Sequence, residues 1–277
     1  MHSTPNTTRD LLCALAILGA SLASGPCSTQ ADELAPARPN LVLFLADDLG
    51  YSDVSVYREA IRHEAPHPVS TSETPRIDQL AAEGMRFTHF YSGNPVCSPS
   101  RAALLTGKNS NRAGIYNWIP RQTPMHLRTT EITLAERLKD LGYQTGHFGK
   151  WHLTPDGKPD PGEHGFDTYF WTYNNAHPSH YNPDNFKRGK DPVGVVEGYS
   201  SQIVADEALD WLRDTRDPGA PFYLNVWFHE PHTPVAAPPG LASRHERNPH
   251  YYGCIENMDL AIGRVLDYLE AEGLADH

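Results

Sequence analysis

Apolar positions along the chain follow two rhythms. NLVLFLA (40–46) is a short continuous apolar run, the pattern of a strand buried on both faces of a parallel sheet, and it stops at the acidic turn DDLG. PFYLNVWF (221–228) predicts a second strand, and YQTGHFGKWHL (143–153) is predicted as extended chain. Helical signals lie between them. TPRIDQLAAEGMRF (74–87) opens with Thr74 as N-cap and Pro75 in the first turn, and Gly84 ends it. SPSRAALLTG (98–107) again carries proline early and glycine late. TLAERLKDLG (133–142) holds a capping box, Thr133 with Glu136, and stops at Gly142. SSQIVADEALDWLRD (200–214) predicts a further helix. The last, over 251–272, sets Ile255, Met258, Ile262, Val265, Leu266 and Leu269 along one stripe. RFTHFYS (86–92) is predicted as a strand, and 154–198, rich in Pro, Gly, Asn, Asp and aromatics, as long surface loops.

Strands alternating with helices predict an α/β fold, a mostly parallel sheet with helices on both faces. Ligands of such sheets gather at the carboxyl ends of strands, and every motif singled out below falls at such an end or just beyond it. No internal repeat interrupts this pattern.

Composition narrows the function. The chain has 277 residues, 39% hydrophobic and 21% charged, with a formal net charge of −11. This balance argues against a nucleic-acid partner, which would call for a basic patch. An anionic small substrate remains compatible, because a few Arg, Lys and His side chains can dominate one cleft of an acidic protein.

The N-terminus has the form of an export signal. Arg9 precedes the apolar run LLCALAILGASLA (11–23), which small and polar residues follow. The run is shorter than the roughly 20 residues a membrane span requires, so no membrane span is expected. Cleavage after Ala31 would leave residues 32–277 as the mature, exported chain (periplasmic, secreted or lumenal) and remove Cys13 and Cys27. Cys97 and Cys254 remain, too few for a disulfide framework. A bridge between them stays open, although Cys254 falls in the final amphipathic helix as a core residue.

Four motifs carry candidate chemistry. Cys97 stands at or just before the N-cap of the helix at 98–107, where free N–H groups and the helix dipole favour negative charge, and Arg101 lies one turn further on. C-x-P-x-R alone fits equally well a small buried cysteine beside a surface arginine. LADDLGYSD (45–53) places Asp47 and Asp48 at a strand end, hard oxygen ligands for Ca²⁺ or Mg²⁺, or simply a solvated turn. In GKWHL (149–153), Lys150 and His152 point to one side if the segment is extended. FHEPHTP (228–234) sets His229 and His232 directly after a strand. The loops 110–130 and 160–198 add Trp118, Trp171, Tyr173, Asn174, Asn175, His177 and Tyr181, suited either to sugar rings or to packing the loops themselves.

CSPSRAALLTG (97–107) resembles the signature of the sulfatases, whose cysteine is oxidised after synthesis to formylglycine, and the other motifs follow in the family's order from Asn40 onward. The resemblance implies the alkaline-phosphatase-like α/β fold and a sulfuric ester hydrolase that releases inorganic sulfate from an aryl or carbohydrate sulfate. It explains why the cysteine is kept. One oxygen of a hydrated aldehyde attacks sulfur, and the other expels the sulfate and regenerates the carbonyl. By resemblance Cys97, Arg101 and His152 are catalytic, Lys150 and His232 bind the sulfate group, and Asp47 and Asp48 hold the metal, Ca²⁺ ahead of Mg²⁺. His229 is structural or touches substrate. The implied partners are a formylglycine-generating maturation enzyme and a sulfated small molecule or glycan. The family's second metal-ligand pair, an Asp and an Asn, and another sulfate-binding Lys are expected just after LEAEGLADH. The resemblance therefore makes 32–277 the N-terminal part of a C-terminally incomplete catalytic domain. Two rival readings share the fold: a phosphate or phosphonate monoester hydrolase, and a catalytically silent protein that binds sulfated glycans.

Overall fold

The computed structural model describes residues 38–61 and 70–275; the residues of the expected export signal, with Cys13 and Cys27, lie outside them. In chain order the elements are β1 (Leu41–Asp47), α1 (Ser55–Ile61), α2 (Pro75–Glu83), α3 (Cys97–Thr106), α4 (Leu134–Asp140), β2 (Gln144–Lys150) and β3 (Thr168–Thr172). There follow β4 (Phe186–Arg188), β5 (Asp191–Gly194), α5 (Ser200–Asp210), β6 (Phe222–Pro231), the short α6 (Pro239–Ala242) and α7 (Pro249–Ala271). No described helix is long and apolar enough to cross a membrane.

One six-stranded sheet runs in the order β1-β6-β2-β3-β4-β5. β1, β6, β2 and β3 are mutually parallel, whereas β4 and β5 turn back antiparallel. β6 is buried along its whole length, as its apolar run predicts. Its side chains alternate between two cores, since successive strand residues face opposite sides. Phe222, Leu224, Val226 and Phe228 pack with Val204 and Ala208 of α5 and with Met258, Ile262 and Val265 of α7. Tyr223 and Trp227 join Ala102 and Leu105 of α3, Ala135 and Leu138 of α4, and Trp151 and Phe166. Helices thus cover both faces, as the alternation of strands and helices predicts. The α7 stripe buries Ile255, Met258, Ile262, Val265 and Leu269, with Leu266 at its half-buried margin.

Local signals transfer unevenly. The α4 capping box forms in both directions, Glu136 N–H to Thr133 Oγ1 at 3.2 Å and Thr133 N–H to Glu136 Oε2 at 2.8 Å. Thr74 occupies the N-cap of α2, but its side chain caps nothing there. Its Oγ1 accepts from the Ser55 N–H at 3.0 Å and ties α2 to the start of α1. Residues 86–92 are not a strand. Their aromatic content suits a pleated surface, but no strand among the described residues pairs with them, and Phe90 and Tyr91 are each 79% exposed. Residues 154–198 are not all loop, since they contain β3, β4 and β5. β4 and β5 have only three and four residues, too few to display a period of two. The helix predicted at 200–214 is regular only to Asp210 and widens into a π-turn over Trp211–Thr215, in which Trp211 and Leu212 are buried.

Gly149 fixes how closely two central strands approach. It has φ +112°, pairs with Trp227, and a Cβ there would lie 1.9 Å from the Trp227 carbonyl oxygen. Gly149→Ala should therefore push β2 from β6 and lower stability by about 2–4 kcal/mol, read as a fall in the urea midpoint.

His147 on β2 is fully buried, its ring 5.1 Å from that of Trp151 and 5.2 Å from that of Trp227, with Nδ1 taking a hydrogen bond from Asn225 Nδ2 at 2.8 Å. Burial, and then the positive charge of Arg101, pushes its pKa down to about 3. A folded pKa below the unfolded value of about 6.5 means that this stabilisation is complete above about pH 6.5 and is lost as pH falls towards 3. The slope contributed is up to about 1.4 kcal/mol per pH unit. His147→Phe should be less stable at pH 7, because Asn225 loses its partner, yet show a shallower acid slope in urea unfolding at pH 7, 5.5 and 4.

Candidate active site at the carboxyl ends of three strands

β1, β6 and β2 are neighbours, so their carboxyl ends bring three distant motifs together. Asp47 closes β1 and is 5% exposed. Lys150 closes β2 and is fully buried, its ammonium hydrogen-bonded to Asp47 Oδ2 and, at 2.6 Å, to Asn175 Oδ1. Arg101 reaches across from α3. Its Nη1 donates to the Lys150 carbonyl at 2.7 Å, its Nη2 lies 3.4 Å from Asp47 Oδ1, and its guanidinium stands 4.8 Å from the centre of the Trp227 ring. Burial alone would raise the Asp47 pKa. Arg101 and Lys150 outweigh it and hold the carboxyl far below the usual carboxylate range.

The contacts continue outward. Asn175 Nδ2 lies 2.9 Å from His232 Nδ1 and donates to the Thr233 carbonyl at 3.3 Å, and His232 Nε2 lies 3.4 Å from Asp48 Oδ2. Asp48 is exposed and adopts φ 62°, a left-handed conformation that turns the chain sharply after β1. One continuous set of polar contacts thus runs from Arg101 through Asp47, Lys150, Asn175 and His232 to Asp48.

His152 departs from its expected geometry. The extended chain ends at Lys150, and His152 has φ 55°, so the two side chains are not placed by strand alternation. Its ring is buried, with Nε2 3.1 Å from the Ile119 carbonyl. Burial first, then Lys150 and Arg101, lowers its pKa to about 3, which keeps it neutral near pH 7. Donation from Nε2 to that carbonyl leaves Nδ1 as an acceptor, buried and without a partner among the described residues.

Cys97 is the first helical residue of α3, one position later than expected, because Val96 is the N-cap. It is half-buried and lies near Lys150. Both Cys97 and Cys254 are free, which closes the open question of a bridge. Burial pushes the Cys254 thiol far up, as befits a core residue. His229 is fully buried, with Nε2 2.8 Å from Thr172 Oγ1.

Sequence reasoning did not single out Asn175 as the link between Lys150 and His232, nor Glu230. Glu230 is buried, accepts from the Ser200 hydroxyl and from the Ser201 N–H at 2.9 Å, and so caps α5 while anchoring the chain that carries His232. Of the aromatic residues considered for sugar rings, Trp171 is fully buried, whereas Trp118 and Tyr181 are about half exposed.

No group of three or more His, Cys, Asp or Glu among the described residues is arranged to hold a metal ion. The donor chemistry nevertheless suits a hard cation. Carboxylate and amide oxygens of Asp47 and Asn175 both face the Lys150 ammonium, which stands in as their positive charge.

The Sulfatase family model matches residues 39–277. Human N-acetylgalactosamine-6-sulfatase is 35% identical over 271 residues, covering 88% of this chain and 49% of that protein. Rat arylsulfatase G is 31% identical, covering 84% of this chain and 48% of that protein. The chain spans about half the length of the curated relatives it matches. Among solved structures, that of Ps i-CgsB in complex with k-i-k-neocarrahexaose aligns with a TM-score of 0.76 at 25% identity, over 86% of this chain and 56% of that one. The PsFucS1 sulfatase from Pseudoalteromonas sp. aligns with a TM-score of 0.68 at 26% identity, over 85% of this chain and 52% of that one. The chain belongs to the sulfatase family.

Proposed function

We propose that residues 32–277 are the N-terminal part of an exported sulfuric ester hydrolase in which Cys97 is converted to formylglycine by a maturation enzyme. The substrate is an aryl or carbohydrate sulfate, and the products are an alcohol and inorganic sulfate. One observation carries the reading. Lys150 and Arg101 close on one buried carboxylate at the strand ends, Asn175 links Lys150 to His232, and Arg101 belongs to the helix that begins at Cys97.

Each residue has a part that its surroundings support. The converted Cys97 side chain supplies a hydrated aldehyde oxygen as nucleophile. Lys150 has three N–H donors, two of them engaged by Asp47 and Asn175, which leaves the third for a sulfate oxygen. His232 binds the sulfate from the opposite side, on a backbone held by Glu230. Arg101 adds positive charge where the transferring group is most anionic and fixes the carbonyl end of Lys150. His152, neutral with a free buried Nδ1, accepts a hydrogen bond from the hydrate and orients it. Asp47 and Asp48, with the Asn175 amide oxygen, would contribute part of the six to eight oxygens that Ca²⁺ takes, and the bound ion would polarise sulfate oxygens. Mg²⁺ ranks behind it.

Conversion is directly measurable. Protein made together with a maturation enzyme should show thiol replaced by aldehyde in the mass of the peptide containing residue 97, and Cys97→Ala should have no turnover at any substrate concentration. Unmodified Cys97 in fully active protein would overturn the mechanism. Aryl phosphate should be turned over far more slowly than aryl sulfate, and the reverse order would favour a phosphate or phosphonate hydrolase.

The two aspartates should separate in a version extended through the next strand-end motif. Both Asp47→Asn and Asp48→Asn should lose Ca²⁺ binding and turnover together. Asp47→Asn should also lower stability by about 3–5 kcal/mol, because Lys150 and Arg101 remain buried without their counter-charge. Asp48→Asn, at an exposed side chain, should leave the thermal midpoint in EDTA unchanged. Calorimetric Ca²⁺ titration and melting curves check both, and undiminished Ca²⁺ binding by either variant would remove that residue from the ligand set.

A further inference from the structure

His232 is the first residue after β6, and the strand end that carries it is tied to the first turn of α5. Glu230 Oε1 accepts from the Ser200 hydroxyl and from the Ser201 N–H at 2.9 Å, and Asn257 of α7 donates to the Ser201 hydroxyl at 2.9 Å. The loop that carries Asn175 is tied to the same turn. Ser200 donates its N–H to the His180 carbonyl at 2.7 Å, and Asn182 donates its N–H to the Gly198 carbonyl at 2.8 Å. The rings of Tyr181 and Tyr199 stand 4.9 Å apart. His232 and Asn175 thus meet from two pieces of chain that share one anchor.

The His180 side chain is the odd member of this arrangement. It is 1% exposed, and neither ring nitrogen has a hydrogen-bond partner among the described residues. Burial lowers its pKa, and Glu230 and the main chain of His232, both close by, only partly offset that, so the ring is neutral near pH 7. A neutral imidazole offers one N–H donor and one acceptor. Nδ1 lies 3.9 Å from Glu230 Oε1, about 1 Å beyond hydrogen-bond length, and Glu230 Oε2 is likewise buried without a partner among the described residues. Packing alone would be served better by an apolar side chain, because a buried polar group without a partner lowers stability. An imidazole adds a dipole facing Glu230 and the His232 main chain, and the interior screens such a contact little.

We propose that His180 is a positioning residue. Against Glu230 and the main chain at 230–232, its polar ring sets where His232 stands relative to Lys150, so that both can meet one sulfate. The inference rests on the sulfate-ester reading of the strand-end site. His180, being buried, touches no substrate atom.

The test uses the complete matured protein and two variants: His180→Leu, which keeps apolar bulk without the nitrogens, and His180→Asn, whose amide takes the place of the Nδ1 edge. His180→Leu should raise KM for an aryl sulfate and the inhibition constant of inorganic sulfate together, each about tenfold, with kcat changed less than about twofold. His180→Asn should recover most of both. In a His232→Ala background His180→Leu should change neither constant, because the residue it positions is gone. Equal effects of His180→Leu with and without His232, wild-type constants in His180→Leu, or no recovery in His180→Asn would each overturn the assignment. Absence of aryl sulfate turnover in the wild type would instead overturn the sulfate-ester reading. The positioning is then read without turnover, by NMR of isotope-labelled histidine. The His232 ring signals should shift in His180→Leu and return towards their place in His180→Asn, and signals unmoved by His180→Leu would overturn it.

Discussion

Two cations and one carboxylate meet in the interior, and much of the structure serves that meeting. Asp47 comes from β1, Lys150 from β2 and Arg101 from α3, so a single ionic cluster joins the first strand, the third strand along the sheet and the helix that begins at Cys97. Burial makes each charge costly alone and strengthens each attraction. The cluster carries one more positive charge than negative. That surplus depresses the Asp47 carboxyl, helps to keep His152 neutral, and favours an anion nearby.

The sheet makes this placement reproducible. β6 lies between β1 and β2, so a strand buried on both faces sets the spacing of the two charged strand ends. Gly149 allows the close approach on one side, and the ring of Trp227, carried on the same strand, supports Arg101. The packing that stabilises the cores thereby also aims the polar groups. Residues just beyond the strands, Asp48 and His152, take left-handed conformations to reach their places. Such backbone persists only where the surroundings hold it, and here those surroundings are the buried polar contacts themselves.

Behind this front lies a second polar layer. Glu230 caps α5, His229 meets Thr172, and Asn175 spans Lys150, His232 and Asn185. The loop at 173–175 consequently faces two ways. One side meets Lys150 and His232, and the other forms a wall of a cleft lined by Arg121 and Lys187.

The sequence by itself determined what depends on near neighbours and on period. The buried strands β1 and β6, the α4 capping box, the α7 stripe and the cysteine motif at a helix start are all local patterns of apolarity, punctuation or residue order. Tertiary structure decided the rest. Asp47 and Lys150 are separated by 103 residues and Asn175 and His232 by 57, distances over which no spacing rule operates. Residues 86–92 have strand-like aromatic content but no strand to pair with among the described residues, whereas β4 and β5 lack a readable period and form because β3 offers them an edge. Arg101 is placed by a carboxylate and a carbonyl from two strands, and Asn175 lies in a loop with no periodicity to show which of its side chains turns towards Lys150. A strand's existence depends on its partner, and a buried charge's position depends on its counter-charge. Neither is a property of the residues adjacent in the chain.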